Sequence, residues 1–149
     1  MSDLTVRPVT AADHAVWLPL WQAYLTFYNS RVADDVTATT WQRFLEPSEP
    51  MHAALAWRNG EAVGLVHWIF HRSCWTSSDY CYLQDLFVAP QVRQGGIGSA
   101  LIKHVYAAAQ AAGANRVHWL TQHDNHTARR LYDHIASHTG FVQYRHLLS

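Results

Sequence analysis

Arg93-Gln94-Gly95-Gly96-Ile97-Gly98-Ser99 joins two segments of different periodicity. Ahead of it, Tyr80-Cys81-Tyr82-Leu83-Gln84-Asp85-Leu86-Phe87-Val88 reads as a strand. Behind it, Ile97, Leu101, Val105, Ala108 and Ala112 recur every three or four residues, an amphipathic helix over 97–112 that Gly113 ends. A strand turning through glycines into a helix N-terminus presents bare N–H groups and the positive end of the helix dipole, which suit a phosphate group. Glycines let that backbone approach closely, with no Cβ in the way. The same turn also serves simple helix-on-strand packing, so the loop alone does not decide the ligand. Its spacing excludes the two commonest phosphate loops. No lysine follows the glycines as a P-loop requires, and the pattern is Arg-x-x-Gly-x-Gly rather than Gly-x-Gly-x-x-Gly with a later acid.

Outward from the loop the elements alternate. Residues 4–9 form a short strand. Thr10 with Asp13 resembles a capping box and starts a helix whose stripe is Trp17, Leu20, Trp21, Tyr24 and Tyr28. A second helix is expected over 39–45, ahead of Pro47. Strands at 52–57 and 62–71 flank Asn59-Gly60, a two-residue hairpin turn. Residues 73–79 form a loop before the strand at 80–88. Beyond the glycine-loop helix come a strand at 116–121, a helix at 127–137 and a final strand at 141–146. The expected order is β-α-α-β-β-β-α-β-α-β in one domain, 1–149: an α/β fold with a mixed, mostly antiparallel sheet and helices on both faces.

Composition bounds the function. A chain of 149 residues that is 49% hydrophobic holds enough apolar material for a core. Lys plus Arg and Asp plus Glu number 11 each, so no basic field draws the chain to nucleic acid or an anionic membrane. Cys74 and Cys81 form neither a disulfide framework nor a zinc motif, and the 11 histidines lack metal-ligand pairing. No metal and a reduced, cytoplasmic setting are expected. Met1-Ser2-Asp3 opens no leader-like segment, and no 18-residue apolar run occurs.

Four ordered motifs carry a family resemblance. Arg93-x-x-Gly96-x-Gly98 resembles the acetyl-CoA pyrophosphate loop of the GNAT superfamily of N-acetyltransferases. Leu86-Phe87-Val88 with Pro90 resembles the strand before it, Asn125-x-x-Ala128-x-x-Leu131-Tyr132 the segment at the far end of the cofactor, and Thr139-Gly140-Phe141 the start of the last strand. The resemblance spans about residues 4–146. It implies acetyl-CoA as donor and co-substrate, and a primary amine as acceptor: a small amine, a polyamine-like amine or a lysine side chain. Main-chain groups of Leu86, Phe87 and Val88 would bond the pantetheine amides. Gln94, Gly95, Gly96, Ile97, Gly98 and Ser99 would face the pyrophosphate beside Arg93, with Asn125 and Ala128 completing the cofactor site.

For catalysis the resemblance implies Tyr132 as general acid to the departing thiolate. A phenol with an ordinary pKa near 10 is protonated at neutral pH. The alternative for Tyr132 is helix packing beside Ala128 and Ile135. The strand 82–88 is similar to that of spermidine/spermine and thialysine acetyltransferases, and the whole chain to small acetyltransferases of the histone/polyamine type. The polyamine branch has glutamate where this chain has Gln84, which cannot take a proton but can orient a water. The base is therefore open between a water chain at Gln84, Asp85 and a histidine such as His123. Neighbours on a strand face opposite ways, so Gln84 and Asp85 are not both expected in the cleft.

For the acceptor, Tyr28, Trp75 and Tyr80 are the pocket candidates, since aromatic faces hold ammonium groups. Asp34, Asp35 and Asp79 are possible anchors. Trp17, Trp21 and Tyr24 read more simply as core. Relatives of the polyamine type imply a homodimer, for which the edge of a strand at 141–146 offers a pairing surface. A non-catalytic acyl-CoA-binding or sensing domain is the rival reading, favoured by Gln84 and opposed by Tyr132.

Overall fold

Asn59 and Gly60 both adopt positive φ, 53° and 78°, the geometry of a type I′ turn, whose twist matches that of the strands it joins. They connect β2 (Met51–Arg58) to β3 (Glu61–His71) at the middle of a five-stranded sheet. The computed structural model describes residues 3–93 and 95–148, in two units, Met1–Trp119 and Leu120–Ser149. In the first unit the sheet runs β1 (Thr5–Pro8), β2, β3, β4 (Tyr80–Val88), β5 (Arg116–His118). The first three joins are antiparallel and β4–β5 is parallel. That parallel join needs a crossover, which α3 (Ile97–Ala111) supplies. The mixed, mostly antiparallel sheet of the sequence reading is the one found.

Helices cover both faces. Trp17 of α1 (His14–Phe27) donates its indole N–H to His67 of β3, and Phe44 of α2 (Asp34–Leu45) packs on the same histidine. On the other face, Ile97 and Leu101 of α3 lie against Gly64 and His104 meets Trp68. Thr10 N–H and hydroxyl both donate to the Asp13 carboxylate, at 2.8 and 3.1 Å. Aspartate thus plays the reciprocal part of a capping box, and a short 3₁₀ turn at Ala11–Asp13 precedes α1.

Several boundaries differ from expectation. α2 begins at Asp34, five residues before position 39, because Asp34 and Asp35 complement its N-terminal dipole. Thr37 in that added turn is buried and accepts the Trp21 indole N–H at 3.1 Å. The buried face of α3 is wider than the expected stripe, adding Ile102 and Ala109, while Ala112 lies beyond the last turn and is exposed. β5 has three residues rather than six.

In the second unit, α4 (His126–Ile135) follows Asn125, whose carbonyl accepts the Arg129 N–H at 3.0 Å. Its half-buried residues Ala128, Leu131, Tyr132 and Ile135 follow helical spacing. The strand expected at 141–146 is not formed. Phe141 is 88% exposed and Tyr144 93% exposed. A strand is stable only as part of a ladder, and these residues pair with none among the described residues. The pairing edge proposed for a dimer disappears with it. Among the described residues, no helix is long and apolar enough to cross a membrane.

Candidate active site

β4 pairs with β5 only at Tyr80–Arg116, Cys81–Val117 and Tyr82–His118. Beyond Tyr82 the two strands part, and β4 continues for residues 83–88 with β3 on one side and no strand on the other among the described residues. Alternate N–H and C=O groups of that run face away from β3, an open edge able to bond an extended amide-bearing ligand. Leu86, Phe87 and Val88 lie on it.

The open edge leads into the glycine loop. Gly96 precedes α3 with φ 76°, a left-handed conformation that favours glycine, and its missing Cβ would meet nothing within 4 Å. The first helical N–H to find an intrahelical acceptor is that of Ala100, on the Gly96 carbonyl. The N–H groups of Ile97, Gly98 and Ser99 precede it at the positive end of α3, the arrangement that binds phosphate groups. Gln94 lies outside the described residues. Arg93 Nε donates to the Val88 carbonyl at 3.2 Å, and its guanidinium lies 5.0 Å from the Phe27 ring and 5.8 Å from that of Phe87. Another cation reaches the loop: the Arg58 guanidinium donates to the Gly95 carbonyl at 3.3 Å. Sequence reasoning missed it, because 37 positions separate the two residues.

Gly64 shows why the loop sits where it does. A Cβ there would lie 2.9 Å from the Phe87 carbonyl oxygen and 3.1 Å from Leu101 Cδ1. Glycine at 64 therefore lets β4 and the first turns of α3 close on β3 together.

A bulge interrupts β4 at Gln84. His67 pairs with Asp85 and Trp68 with Leu83, so Gln84 is the extra residue, and it is exposed. The bulge changes which residues share a face. Leu83, opposite Trp68, lies on the α3 side; after the bulge Leu86 and Val88 take that side, and Asp85 and Phe87 turn toward α1. Strict alternation across 84 and 85, assumed from sequence, does not hold.

Asp85 sits in a hydrogen-bond chain that the sequence did not reveal. Tyr24 Oη donates to Asp85 Oδ1 at 2.9 Å, His67 Nδ1 lies 2.9 Å from Asp85 Oδ2, and Trp17 Nε1 donates to His67 Nε2 at 3.0 Å. An indole N–H only donates, so Nε2 accepts and the ring proton resides on Nδ1, directed at the carboxylate. His67 is 3% exposed and the Asp85 side chain 14%. Burial, and then the charge of Asp85, raise the Tyr24 phenol far above the usual tyrosine range.

The acceptor candidates are scattered. Tyr28 caps α1, edge-on to Tyr24 at 5.2 Å and to Phe27 at 5.1 Å. Tyr80 already carries the Arg116 guanidinium 3.8 Å from its ring. Trp75 stands 90% exposed in the 72–79 loop. Asp34 and Asp35 occupy the first turn of α2, and Asp79 pairs with Arg72 at 3.4 Å. In the second unit Tyr132, Asn125 and Ala128 lie on or next to α4, and the His123 carbonyl accepts from Arg129.

The comparisons agree with this geometry. The model of the acetyltransferase (GNAT) family matches residues 17–136. The D-amino-acid N-acetyltransferase HPA3 of Saccharomyces cerevisiae is 33% identical over 144 residues, 95% of this chain and 89% of that protein. The uncharacterized N-acetyltransferase YhfO of Bacillus subtilis is 31% identical over 146 residues, 95% of each chain. The solved aminoglycoside N-acetyltransferase AAC(6')-Iy in complex with CoA has the same fold, with a TM-score of 0.84 at 18% identity over 100% of this chain and 97% of that one. An open strand edge running into a helix N-terminus, within a chain so matched, makes this protein an N-acetyltransferase of the GNAT family.

Proposed function

We propose that the protein moves an acetyl group from acetyl-CoA to the primary amine of a small molecule, within one acetyltransferase domain. The observation that carries this reading is the continuity of residues 83–99. The open edge of β4 suits the amide-bearing arm of the cofactor, and the N-terminus of α3 suits its pyrophosphate. Leu86, Phe87 and Val88 hold the arm by main-chain groups. Gly95 to Ser99 meet the phosphates, Arg58 and Arg93 add positive charge nearby, and Asn125 and Ala128 of the second unit are assigned to the cofactor on their motif.

Transfer is direct. The amine nitrogen bonds to the thioester carbonyl carbon, the C–S bond breaks, and the thiolate takes a proton from Tyr132, assigned to this role on its motif. Cys81, the thiol on β4, is fully buried and pushed up to about 12 by burial, so it supplies no thiolate for an acyl-enzyme. The name of the yeast relative makes free amino acids, in both chiral forms, the first acceptors to test beside polyamines and lysine peptides.

Calorimetric titration with acetyl-CoA, followed by thiol release against that amine panel, tests the reading. Binding with amine-dependent release of CoA supports it. Binding with no turnover on any acceptor favours a sensing domain, and no binding removes the cofactor assignment. Replacing Tyr132 with phenylalanine is expected to lower kcat while leaving acetyl-CoA affinity unchanged. Unaltered kcat would return Tyr132 to a packing role.

A further inference from the structure

The proposed transfer requires a proton acceptor for the attacking amine, and Gln84 is not one. We propose that the acceptor is Asp85, reached through the Tyr24 hydroxyl, and that His67 and Trp17 act as positioning residues that hold the carboxylate in line. The inference rests on the acetyl-transfer reading above and deepens it.

Three observations converge. The bulge at Gln84 turns Asp85 off the α3 side and onto the α1 side of β4, immediately before the 86–88 run assigned to the acyl arm. There both oxygens of its carboxylate are engaged by hydrogen bonds of 2.9 Å, one from Tyr24 and one from His67. Tyr24 is the outermost member of this chain. It is half-buried, next to exposed Tyr28, and its ring meets Phe87 at 5.9 Å. A hydroxyl that donates inward to a carboxylate keeps its oxygen lone pairs free to accept from a substrate N–H.

In the step proposed, the nitrogen attacks the thioester carbon and its surplus proton moves to Tyr24 Oη as the original Tyr24 proton moves to Asp85 Oδ1. Tyr132 protonates the sulfur, so one proton is taken up and one released. Tyr24 never exists as a free phenolate, in keeping with its strongly raised pKa. The inner half of the chain has one arrangement only. The Trp17 indole cannot accept, so His67 Nε2 receives its proton and Nδ1–H is committed to Asp85. The titratable groups facing Asp85 are Tyr24 and, through it, Tyr28 from α1, His67 from β3 and Tyr82 within β4; α2 presents the uncharged Phe44 to His67.

The test uses the full chain with acetyl-CoA and the best acceptor from the panel, so failure of the wild type to bind or turn over identifies a failure of the underlying reading. Tyr24→Phe, which removes one oxygen, is expected to lower kcat by roughly 10²-fold, as for loss of a general base. Acetyl-CoA affinity should stay unchanged. Asp85→Asn is expected to match it, and the double variant to be no slower than the slower single. Wild-type kcat in Tyr24→Phe, or two losses that multiply in the double variant, would overturn the relay. His67 gives an independent measurement that does not depend on those variants folding. Glutamine there offers both an acceptor for Trp17 and a donor for Asp85 and should keep kcat, whereas His67→Leu should lose kcat with KM unchanged. Equal turnover in the two His67 variants would overturn the positioning role.

Discussion

Replacing Gly64 with alanine tests whether packing between strands and helix sets the cofactor loop. The added Cβ would lie 2.9 Å from the Phe87 carbonyl oxygen, 3.1 Å from Leu101 Cδ1 and 3.3 Å from Ile97 Cγ2. None of these yields cheaply. The carbonyl belongs to the β4 backbone, held in register by the Leu65–Phe87 pair, and Ile97 and Leu101 are fully buried in the first turns of α3. Forcing one carbon into a packed interior costs about 1–3 kcal/mol. Alanine also restricts the unfolded chain more than glycine does, which returns roughly 0.5–1 kcal/mol. The net loss is on the order of 1–2 kcal/mol, a fall in Tm of about 2–8 °C for a chain of this size. Thermal unfolding measures that part, and titration with acetyl-CoA measures the other. Because the atoms displaced are the end of β4 and the start of α3, affinity for the cofactor should fall as well. An unchanged Tm would mean that the close approach does not constrain the fold. A lowered Tm with wild-type affinity would refute the link between this contact and the loop.

Gly96→Glu should abolish acetyl-CoA binding in a calorimetric titration, since it puts a carboxylate before the N-terminus of α3 and a side chain at a φ of 76°; binding heat equal to wild type would remove the loop from the cofactor site. Gln84→Glu supplies a carboxylate at the exposed bulge position and is expected to speed acetylation of polyamines in a thiol-release assay, while no gain would show that position 84 does not face the amine. Stability should decline as pH falls below neutrality. His52, His104 and His118 all have pKa values lowered by burial, with Arg116 and His71 adding to the effect at His118. Their unfolded forms take up protons first, near pH 6.5, so unfolding is favoured as pH falls through that value and the loss is complete below the lowered folded values. Thermal melts from pH 7.5 to 5 check this, and a Tm that rises over that interval would contradict it.

What was legible in the sequence was local. The Asn59-Gly60 turn, the strand 80–88 and the glycine entry to α3 follow from residue types whose backbone preferences act within a few positions. The Asp85 chain joins residues 17, 24, 67 and 85, and no periodicity relates them. Trp17 and Tyr24 did belong to a core stripe, as read, but the polar ends of those side chains do the joining. The bulge at Gln84 left no compositional mark, so a rule of strict alternation could not tell which of Gln84 and Asp85 turns toward α1. The failed strand at 141–146 is the opposite case. Phe141, Val142 and Tyr144 have strand propensity, but propensity makes a strand only within a ladder, and among the described residues these join none.

The bulge also explains how one strand serves two chemistries. With the same residues in regular alternation, Gln84 included, residues 85 and 87 would share the α3 side with Leu83, and no carboxylate on β4 would reach Tyr24. The extra residue lets the α3 side keep an apolar seam, with Leu83, Leu86 and Val88 under the helix whose first N–H groups are proposed to meet the phosphates. It gives the α1 side a mostly shielded carboxylate beneath aromatic rings, where hydrogen bonds are stronger than in water and unpaired charge is costly. In the proposed reading, cofactor binding and proton removal then fall on opposite faces of β4, while its main-chain edge beyond Tyr82, where β5 departs, is left to the acyl arm. Deleting Gln84 should therefore straighten the strand without changing which residues share a face. Leu83 and Asp85 would then be consecutive and alternate as ordinary strand neighbours, still opposite Trp68 and His67, so the Tyr24–Asp85 bond and the apolar seam under α3 should both survive; an expressed, folded deletion variant that loses either would refute the assignment of Gln84 as the extra residue.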